Sequence, residues 1–255
     1  MIICRGLNPN DQINSVVEWF EKCPPQKGED QWKDGRSAKE LAKYWLNNQK
    51  NSIQEYTDVI NSHPELQNIA LELGSPEYVT DFDGYRNGRV NDFFICGKQG
   101  SERLLIGVEA KVDEEFGEII GEYYLENQLK KINDINTNAP ARIENLIKAL
   151  FKKPVPKGVF DLRYQLFHAV AGLLAEAKRQ NAKKTILMIH IFKTEDLQPE
   201  KYKSNMRDLD QFVKIISNSQ WDHLSPGTII GPVRVPGNQQ YIPGEIPLYI
   251  GEIES

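Results

Sequence analysis

In this 255-residue chain, the side chains best suited to form a reactive site are those of Glu109, Lys111 and Asp92. Glu109 and Lys111 flank Ala110 in a segment that reads as extended, where successive side chains point to opposite faces. The glutamate and the lysine therefore share one face, and their apolar neighbours share the other. Asp92 lies on the preceding predicted strand, and a hairpin register that pairs it with about residues 107–109 brings its carboxylate to the face of Glu109.

Two carboxylates and one lysine on one face suit a hard divalent cation. Mg²⁺ prefers oxygen ligands and usually takes only one or two carboxylates, so Asp92, Glu109 and the Ala110 carbonyl could hold it. Such a metal lowers the pKa of a bound water, while Lys111 positions that water or stabilises charge on the phosphoryl oxygens. The pattern predicts a metal-dependent phosphodiesterase with Mg²⁺ or Mn²⁺ as cofactor.

Three letters alone are weak evidence, because Glu-Ala-Lys occurs twice in this sequence. The second copy, Glu176-Ala177-Lys178, falls in a predicted helix, where 100° per residue separates the two charges and a solvated helix face is expected. For Glu109 and Lys111 the competing interpretation is a cross-strand salt bridge at a sheet edge.

The N-terminal part of the chain, before the strands that carry these residues, is predicted to be helical. Ser37-Ala38-Lys39-Glu40 reads as a capping box, and a helix is expected from Pro64 to Leu73 with Gly74 as its stop. The pattern then changes from helical to extended. Three strands, expected to form an antiparallel meander, are predicted at Tyr78 to Phe82, Arg89 to Cys96 and Arg103 to Val112.

Helices return after the meander. A long amphipathic helix from about Asp161 to Gln180 leads into Thr185 to Phe192, a nearly continuous apolar run typical of a central strand buried on both faces. We predict one α/β domain over residues 1–255 with a central mixed sheet flanked by helices. Its parts are an N-terminal helical part (1–62), a core (63–195) with a helical insertion (117–158), and a C-terminal helix with strands (196–255).

This order of elements resembles the PD-(D/E)xK nuclease superfamily, whose members have a restriction-endonuclease-like fold. The resemblance covers about Pro64 to Phe192: a helix, a meander with Asp on the second strand and Glu-x-Lys on the third, then a helix and a buried strand. Within the superfamily, three longer strings are similar to a group of functionally uncharacterised bacterial proteins. These strings are Asn91-Asp92-Phe93-Phe94, the ten residues Val108 to Gly117, and Arg163 to His168.

The resemblance implies a nuclease in which Asp92 and Glu109 bind the metal and Lys111 is the catalytic lysine. The superfamily often adds an upstream acidic residue, for which Glu77 and Glu72 compete, and Glu77 is preferred. The chain departs from the family pattern in its helical insertion and in lacking the proline of the motif's name before the aspartate. The alternative function is a catalytically inactive relative that serves as a binding or structural module. Candidate substrate contacts are Arg86, Arg89, Arg163 and Gln165.

Composition sets the remaining expectations. The formal net charge of -5 does not by itself announce a nucleic-acid partner, although a local basic groove can coexist with an acidic remainder. Three cysteines without CxxC spacing indicate buried free thiols, and no apolar run is long enough to span a bilayer, so a cytoplasmic protein is expected.

His168 and His190 are interpreted as core histidines. A homodimer is expected from symmetry alone, since many enzymes that cut both strands are dimers.

Overall fold

The computed structural model describes residues 1–195, 197–238 and 240–255. Its strands are β1 (Ile2–Ile3), β2 (Ile69–Thr80), β3 (Arg89–Gln99), β4 (Glu102–Lys111), β5 (Lys184–Ile191), β6 (Ile229–Val233) and β7 (Leu248–Glu254). Its α-helices are α1 (Val16–Lys22), α2 (Ser37–Asn47), α3 (Gln49–Asn61), α4 (Ile120–Ile132), α5 (Ala139–Leu150), α6 (Tyr164–Arg179) and α7 (Pro199–Ile216).

All seven strands join one mixed sheet in the order β1-β2-β3-β4-β5-β7-β6. The predicted meander is present, since β2, β3 and β4 pair antiparallel. Strands β4, β5 and β7 run parallel to one another, while β1 runs parallel to β2 and β6 antiparallel to β7 at the two edges. The predicted α/β class, with a mixed sheet flanked by helices, is confirmed.

Two hydrophobic cores, one on each face of the sheet, fix the three layers. Helices α1, α2 and α3 cover one face, where Trp19 and Trp45 lie fully buried against Phe93. Helices α4 to α7 cover the other face. Strand β5 is buried along nearly all of its length and lies between β4 and β7, as the continuous apolar run predicted. The three cysteines are buried free thiols, also as expected.

The helix predicted from Pro64 to Leu73 is wrong. Only Pro64–Leu66 is helical, as one 3-10 turn, and β2 begins at Ile69. Burial alternates from Ile69 to Glu72, which is the period of a strand rather than of a helix. Gly74 lies within this strand and does not end a helix, and its missing side chain leaves room for the Phe93 ring.

Two local interpretations also need correction. The capping box is not formed, because Arg36 is the N-cap of α2 and the Ser37 hydroxyl donates to Glu114 Oε1 at 3.0 Å. Glu176 is not on a solvated face. It is 2% exposed and accepts hydrogen bonds from the Tyr78 hydroxyl at 2.8 Å and from Arg179 Nε at 2.7 Å.

In the described part of the chain, no helix combines the length and apolar character needed to cross a membrane.

Candidate functional site

A buried cluster of charges surrounds Glu109, near the end of β4. Lys111 Nζ donates to Glu109 Oε1 at 2.6 Å, and Arg89, the first residue of β3, donates to Glu109 Oε2. Gln165, in the first turn of α6, also donates to Glu109 Oε1. Glu109 is fully buried and Lys111 is 4% exposed. Two cationic side chains and one amide therefore satisfy both oxygens of this carboxylate, as a buried charge requires.

Asp92 joins this cluster because β3 separates from β4 at this point. The paired register runs up to Phe93 opposite Val108, which makes Glu109 the next residue facing Asp92. Beyond that pair, the Ala110 amide of β4 bonds to a side chain of β3 rather than to its backbone. Asp92 Oδ2 accepts this hydrogen bond at 2.7 Å. The predicted register is thus observed. The apolar face of β4 is also as predicted, with Val108, Ala110 and Val112 in the core beneath α1 to α3.

Glu77 brings a third carboxyl group to the same place. Its backbone φ of 47° lies in the left-handed region, and the β2–β3 pairing passes from Pro76 to Tyr78 without it. This conformation costs a non-glycine residue about 1–2 kcal/mol, and such strain is concentrated at functional sites. Of the two candidates for an upstream acid, Glu77 is the one beside Asp92. Glu72 is exposed and pairs with Lys98 at 2.6 Å.

The pKa values of Asp92 and Glu77 are raised because both carboxyl groups are buried close to other carboxylates. Burial, and then the negative charge of Glu109, raise the pKa of Asp92 to about 7. Burial, and then the negative charge of Asp92, raise the pKa of Glu77 to about 8, although Arg89 acts in the opposite direction. Both carboxyl groups therefore resist ionisation at neutral pH unless another positive charge comes close.

A cavity of about 270 Å³ opens beside the cluster. One wall comes from the α1–α2 loop and the start of α2, and the opposite wall comes from α5 and the first turns of α6. Asp92, Glu77 and Arg89 are among the described residues that line it, whereas Glu109 and Lys111 are not. The Arg89 side chain thus lies between the cavity and Glu109.

Two further lining residues, His168 and Arg142, carry polar groups that sequence reasoning did not assign to the site. His168 Nδ1 and Arg89 Nε are buried and find no hydrogen-bond partner among the described residues. Burial, and then the positive charge of Arg89, hold the pKa of His168 well below its usual value, so its ring is neutral at neutral pH. Arg142, on α5, forms a two-pronged salt bridge with Asp83 at 2.6 and 2.9 Å.

Of the other predicted residues, Arg89 and Gln165 lie in the site, whereas Arg163 and Arg86 lie outside it. Gln165 and Arg89 both contact Glu109, and the phosphate contact expected of Arg89 stays a prediction. Arg163 is held by Asp208 at 2.7 Å and by Glu115 at 2.9 Å, outside the cavity lining. Arg86 is exposed on the β2–β3 connection.

His190 is a satisfied core histidine, as expected. Its ring nitrogens lie 3.0 Å from the Tyr56 hydroxyl and 2.9 Å from the Ser255 hydroxyl. Burial lowers its pKa to about 3, so the ring stays neutral.

The geometry defines a class of site: an acid–lysine cluster at a strand end, beside a polar cavity, in a three-layer α/β protein. A family model described as "Domain of unknown function (DUF6946)" matches residues 12–255, and the chain belongs to that family. Comparison with curated proteins found no match, and neither did comparison with solved structures.

Proposed function

We propose that the chain is a Mg²⁺- or Mn²⁺-dependent phosphodiesterase that hydrolyses nucleic acid, built on a restriction-endonuclease-like core. The observation that carries this proposal is the convergence of Asp92, Glu109 and Lys111 where β3 and β4 separate, next to a cavity lined by polar groups. A structural salt bridge would not require a third carboxyl group in a strained backbone conformation beside it.

The order of elements supports the proposed core. The helix expected at Pro64 to Leu73 is absent, but α3 precedes the meander β2-β3-β4, which carries Asp92 on its second strand and Glu109 and Lys111 on its third. Helix α6 then leads to β5, which pairs parallel with β4. Strand β4 lies between β3 and β5 and is not a sheet edge, so a simple edge salt bridge is the poorer explanation.

The donor chemistry of the site fits a hard cation. Asp92 and Glu77 bring carboxyl oxygens to the cavity, and burial, followed by the charge of a neighbouring carboxylate, raises the pKa of each, so a nearby cation would favour their ionised forms. In the described residues, no group of three or more histidine, cysteine or acidic side chains is close enough to hold a metal. Mg²⁺ commonly needs only one or two carboxylates and fills its remaining positions with water and substrate, so two donors suffice.

Each side chain then has a role. Asp92 and Glu109 would hold the cation together with the Ala110 carbonyl. Glu77, on the neighbouring strand β2, would be a further carboxylate ligand. The bound metal would supply an activated water and neutralise charge on the phosphoryl group. Lys111, held by Glu109 at 2.6 Å, would position that water or stabilise the developing negative charge.

The size of the cavity bears on the substrate. About 270 Å³ corresponds to a sphere roughly 8 Å across, whereas the major groove of B-DNA alone is about 12 Å wide. The carboxyl groups of Asp92 and Glu77 line this cavity and Glu109 lies behind it, so a single strand or a strand end fits better than a continuous duplex. Arg89 and His168 line the cavity and each has a buried nitrogen without a hydrogen-bond partner among the described residues, so either side chain could turn that nitrogen toward a phosphate oxygen or a base edge.

The second candidate function is a binding or structural module without catalysis. It is favoured by one observation: Arg89, Lys111 and Gln165 already occupy both oxygens of Glu109. In an active enzyme Arg89 must release Glu109 when metal binds. In an inactive relative the Arg89–Glu109 pair is permanent and the cluster is purely structural.

A Mn²⁺ titration followed by thermal unfolding tests the proposal. Metal at a hundredfold its dissociation constant stabilises the folded state by about 2.7 kcal/mol, which raises Tm by roughly 5–10 °C in a chain of this size. Wild type should show this shift, and Asp92→Asn and Glu109→Ala should lose it. Glu176→Gln is the matched control, since it alters a buried glutamate of the helical Glu-Ala-Lys copy, outside the cavity lining.

Cleavage is measured in parallel on labelled single-stranded and double-stranded DNA and RNA in Mn²⁺. Lys111→Ala should reduce cleavage at least about a hundredfold, the loss typical of removing one group that stabilises charge in a transition state. No Mn²⁺-linked shift in wild type, together with no cleavage of any of these substrates, would reject the phosphodiesterase and favour the second candidate.

A further inference from the structure

A second cavity, of about 440 Å³, adjoins the cavity beside the charged cluster. It lies between the β2–β3 connection, α5 and the loop that joins β6 to β7. Phe82 and Arg142 line both cavities, so the two share a wall. The volume of the second cavity is in the range of small-molecule sites, about 300–1,000 Å³. A ligand with one group in the first cavity can therefore place a neighbouring group in the second.

Arg142 is held rigidly at the shared wall. Its salt bridge with Asp83 uses two nitrogens, at 2.6 and 2.9 Å, and neutralises its charge. Its guanidinium carbon lies 5.0 Å from the centre of the Phe82 ring and 5.7 Å from that of the Tyr85 ring. A planar guanidinium stacks on the faces of aromatic rings and bases. The wall of the second cavity is therefore built largely of flat, fixed groups.

Two tyrosines in this lining have ring faces that no other ring covers. Tyr85 and Tyr241 stack on no aromatic ring in the described part of the chain, and neither hydroxyl forms a hydrogen bond there. Their segments meet at the cavity, because a side chain at Gly84 would come within 3.1 Å of the Tyr241 hydroxyl oxygen. Tyr85 is half-buried but packs against neither hydrophobic core, so core packing does not require its ring.

The polar groups around these rings indicate the chemistry of the ligand. The side-chain amides of Asn145 and Gln240 form no hydrogen bond within the described residues, and the exposed Lys148 forms no ion pair there. Aromatic rings complement the faces of a nucleobase, and amides complement the donors and acceptors on its edges. A lysine ammonium attracts the neighbouring phosphate. An unpaired nucleotide has all three complementary features.

We propose that the second cavity binds an unpaired base of the strand whose phosphate lies in the first cavity, with Tyr85 as its stacking surface. This inference rests on the proposed function, because it takes the ligand to be a nucleic acid strand. A base inside a duplex is covered by its neighbours on both faces and by its partner on one edge. The second cavity therefore selects single strands or strand ends.

Fluorescence anisotropy with labelled single strands of DNA and of RNA, each about eight nucleotides long, tests the proposal. The titration is made in EDTA, where no metal is bound and no bond is cut. Tyr85→Ala should raise the Kd of the better-bound strand about tenfold or more, and Tyr85→Phe, which keeps the ring, should bind like wild type. Tyr202→Ala is the matched control, since Tyr202 also lies beside a cation, with Lys193 5.3 Å from its ring centre, but lines neither cavity. It should leave the Kd unchanged.

An abasic strand of the same length shows which part of the nucleotide the cavity contacts. It should bind wild type and Tyr85→Ala equally, because it has no base to stack. Lys148→Ala should instead weaken the binding of both kinds of strand. It should also reduce the slope of log affinity against log salt concentration by roughly one.

Three results would overturn the proposal: no binding of either base-carrying strand to wild type, equal affinity of wild type and Tyr85→Ala, or an equal loss on the abasic strand. The assay also separates this proposal from the proposed function. Cleavage in Mn²⁺ together with an affinity that Tyr85→Ala leaves unchanged would reject the base site alone. Binding that depends on the base and on Tyr85, without cleavage in Mn²⁺, would reject the phosphodiesterase and support the base site.

Discussion

Replacing Glu109 with glutamine tests whether the charged cluster is as tightly coupled as its contacts indicate. Glu109 is fully buried and accepts from Lys111 and Arg89, whose side chains are only 6% and 7% exposed. A glutamine has nearly the same shape but no charge, so two cations remain buried without their counterion. Breaking one partner of a buried ion pair costs about 3–5 kcal/mol. For a chain of this size that loss lowers Tm by about 10 °C.

Thermal and urea unfolding of wild type and Glu109→Gln measure this loss without reference to any activity. The matched control is Glu176→Gln, because Glu176 is also buried but its partner Arg179 has a side chain that is 66% exposed. Arg179 can turn to water when the charge is removed, so a loss of about 1–2 kcal/mol is expected there. A Glu109→Gln protein whose free energy of unfolding lies within about 1 kcal/mol of wild type, or is no lower than that of the control, would show that the cluster is not tightly coupled.

Three further predictions concern the rest of the fold. Glu252 is fully buried, finds no hydrogen-bond partner among the described residues, and has a pKa raised to about 8 by burial and then by Glu254. Because Glu252 loses this proton near pH 4.5 in the unfolded chain, its contribution to stability should fall by roughly 1.4 kcal/mol per pH unit from there up to about pH 8. Urea titrations at several pH values should show a smaller fall in stability with rising pH for Glu252→Gln than for wild type, in which Glu77 and Asp92 add to the slope, and equal slopes would contradict this. Glu77→Gly should raise the free energy of unfolding by about 1 kcal/mol relative to Glu77→Ala, since only glycine relieves the left-handed strain; equal stability of the two would contradict it. Gly172→Ala should cost about 1–3 kcal/mol on urea unfolding, because its new methyl group would lie 2.3 Å from Thr80 Oγ1 where α6 crosses the sheet, and an unchanged midpoint would show that this packing can relax.

Much of the site could be predicted from the sequence because short-range patterns determine where Glu109, Lys111 and Asp92 lie. Alternating side chains placed Glu109 and Lys111 on one face of β4, and the tight connection between β3 and β4 fixed the register that brings Asp92 beside them. The long apolar run of β5 likewise identified the central strand. In each case the local pattern and the tertiary fold agree.

The features that sequence reasoning missed depend on contacts between distant residues. Pro64 stands at a helix-start position just before β2 and Gly74 at a helix-stop position within it, but pairing of β2 with β3 outweighs both signals. The Ser37 hydroxyl is drawn away from its own helix by Glu114, 77 residues later. Arg142 and His168 reach the cavity only because α5 and α6 pack over the end of the meander, and no local pattern reports that packing.

We propose that Asp92 and Glu109 bind a divalent cation on which hydrolysis depends. Anomalous diffraction from crystals soaked in Mn²⁺ tests it most directly, because the metal is located without reference to any substrate. We expect a Mn²⁺ peak between the carboxylates of Asp92 and Glu109, with the Arg89 side chain turned away from Glu109. Crystals that show no peak there at saturating Mn²⁺, with Arg89 still bonded to Glu109, would contradict it.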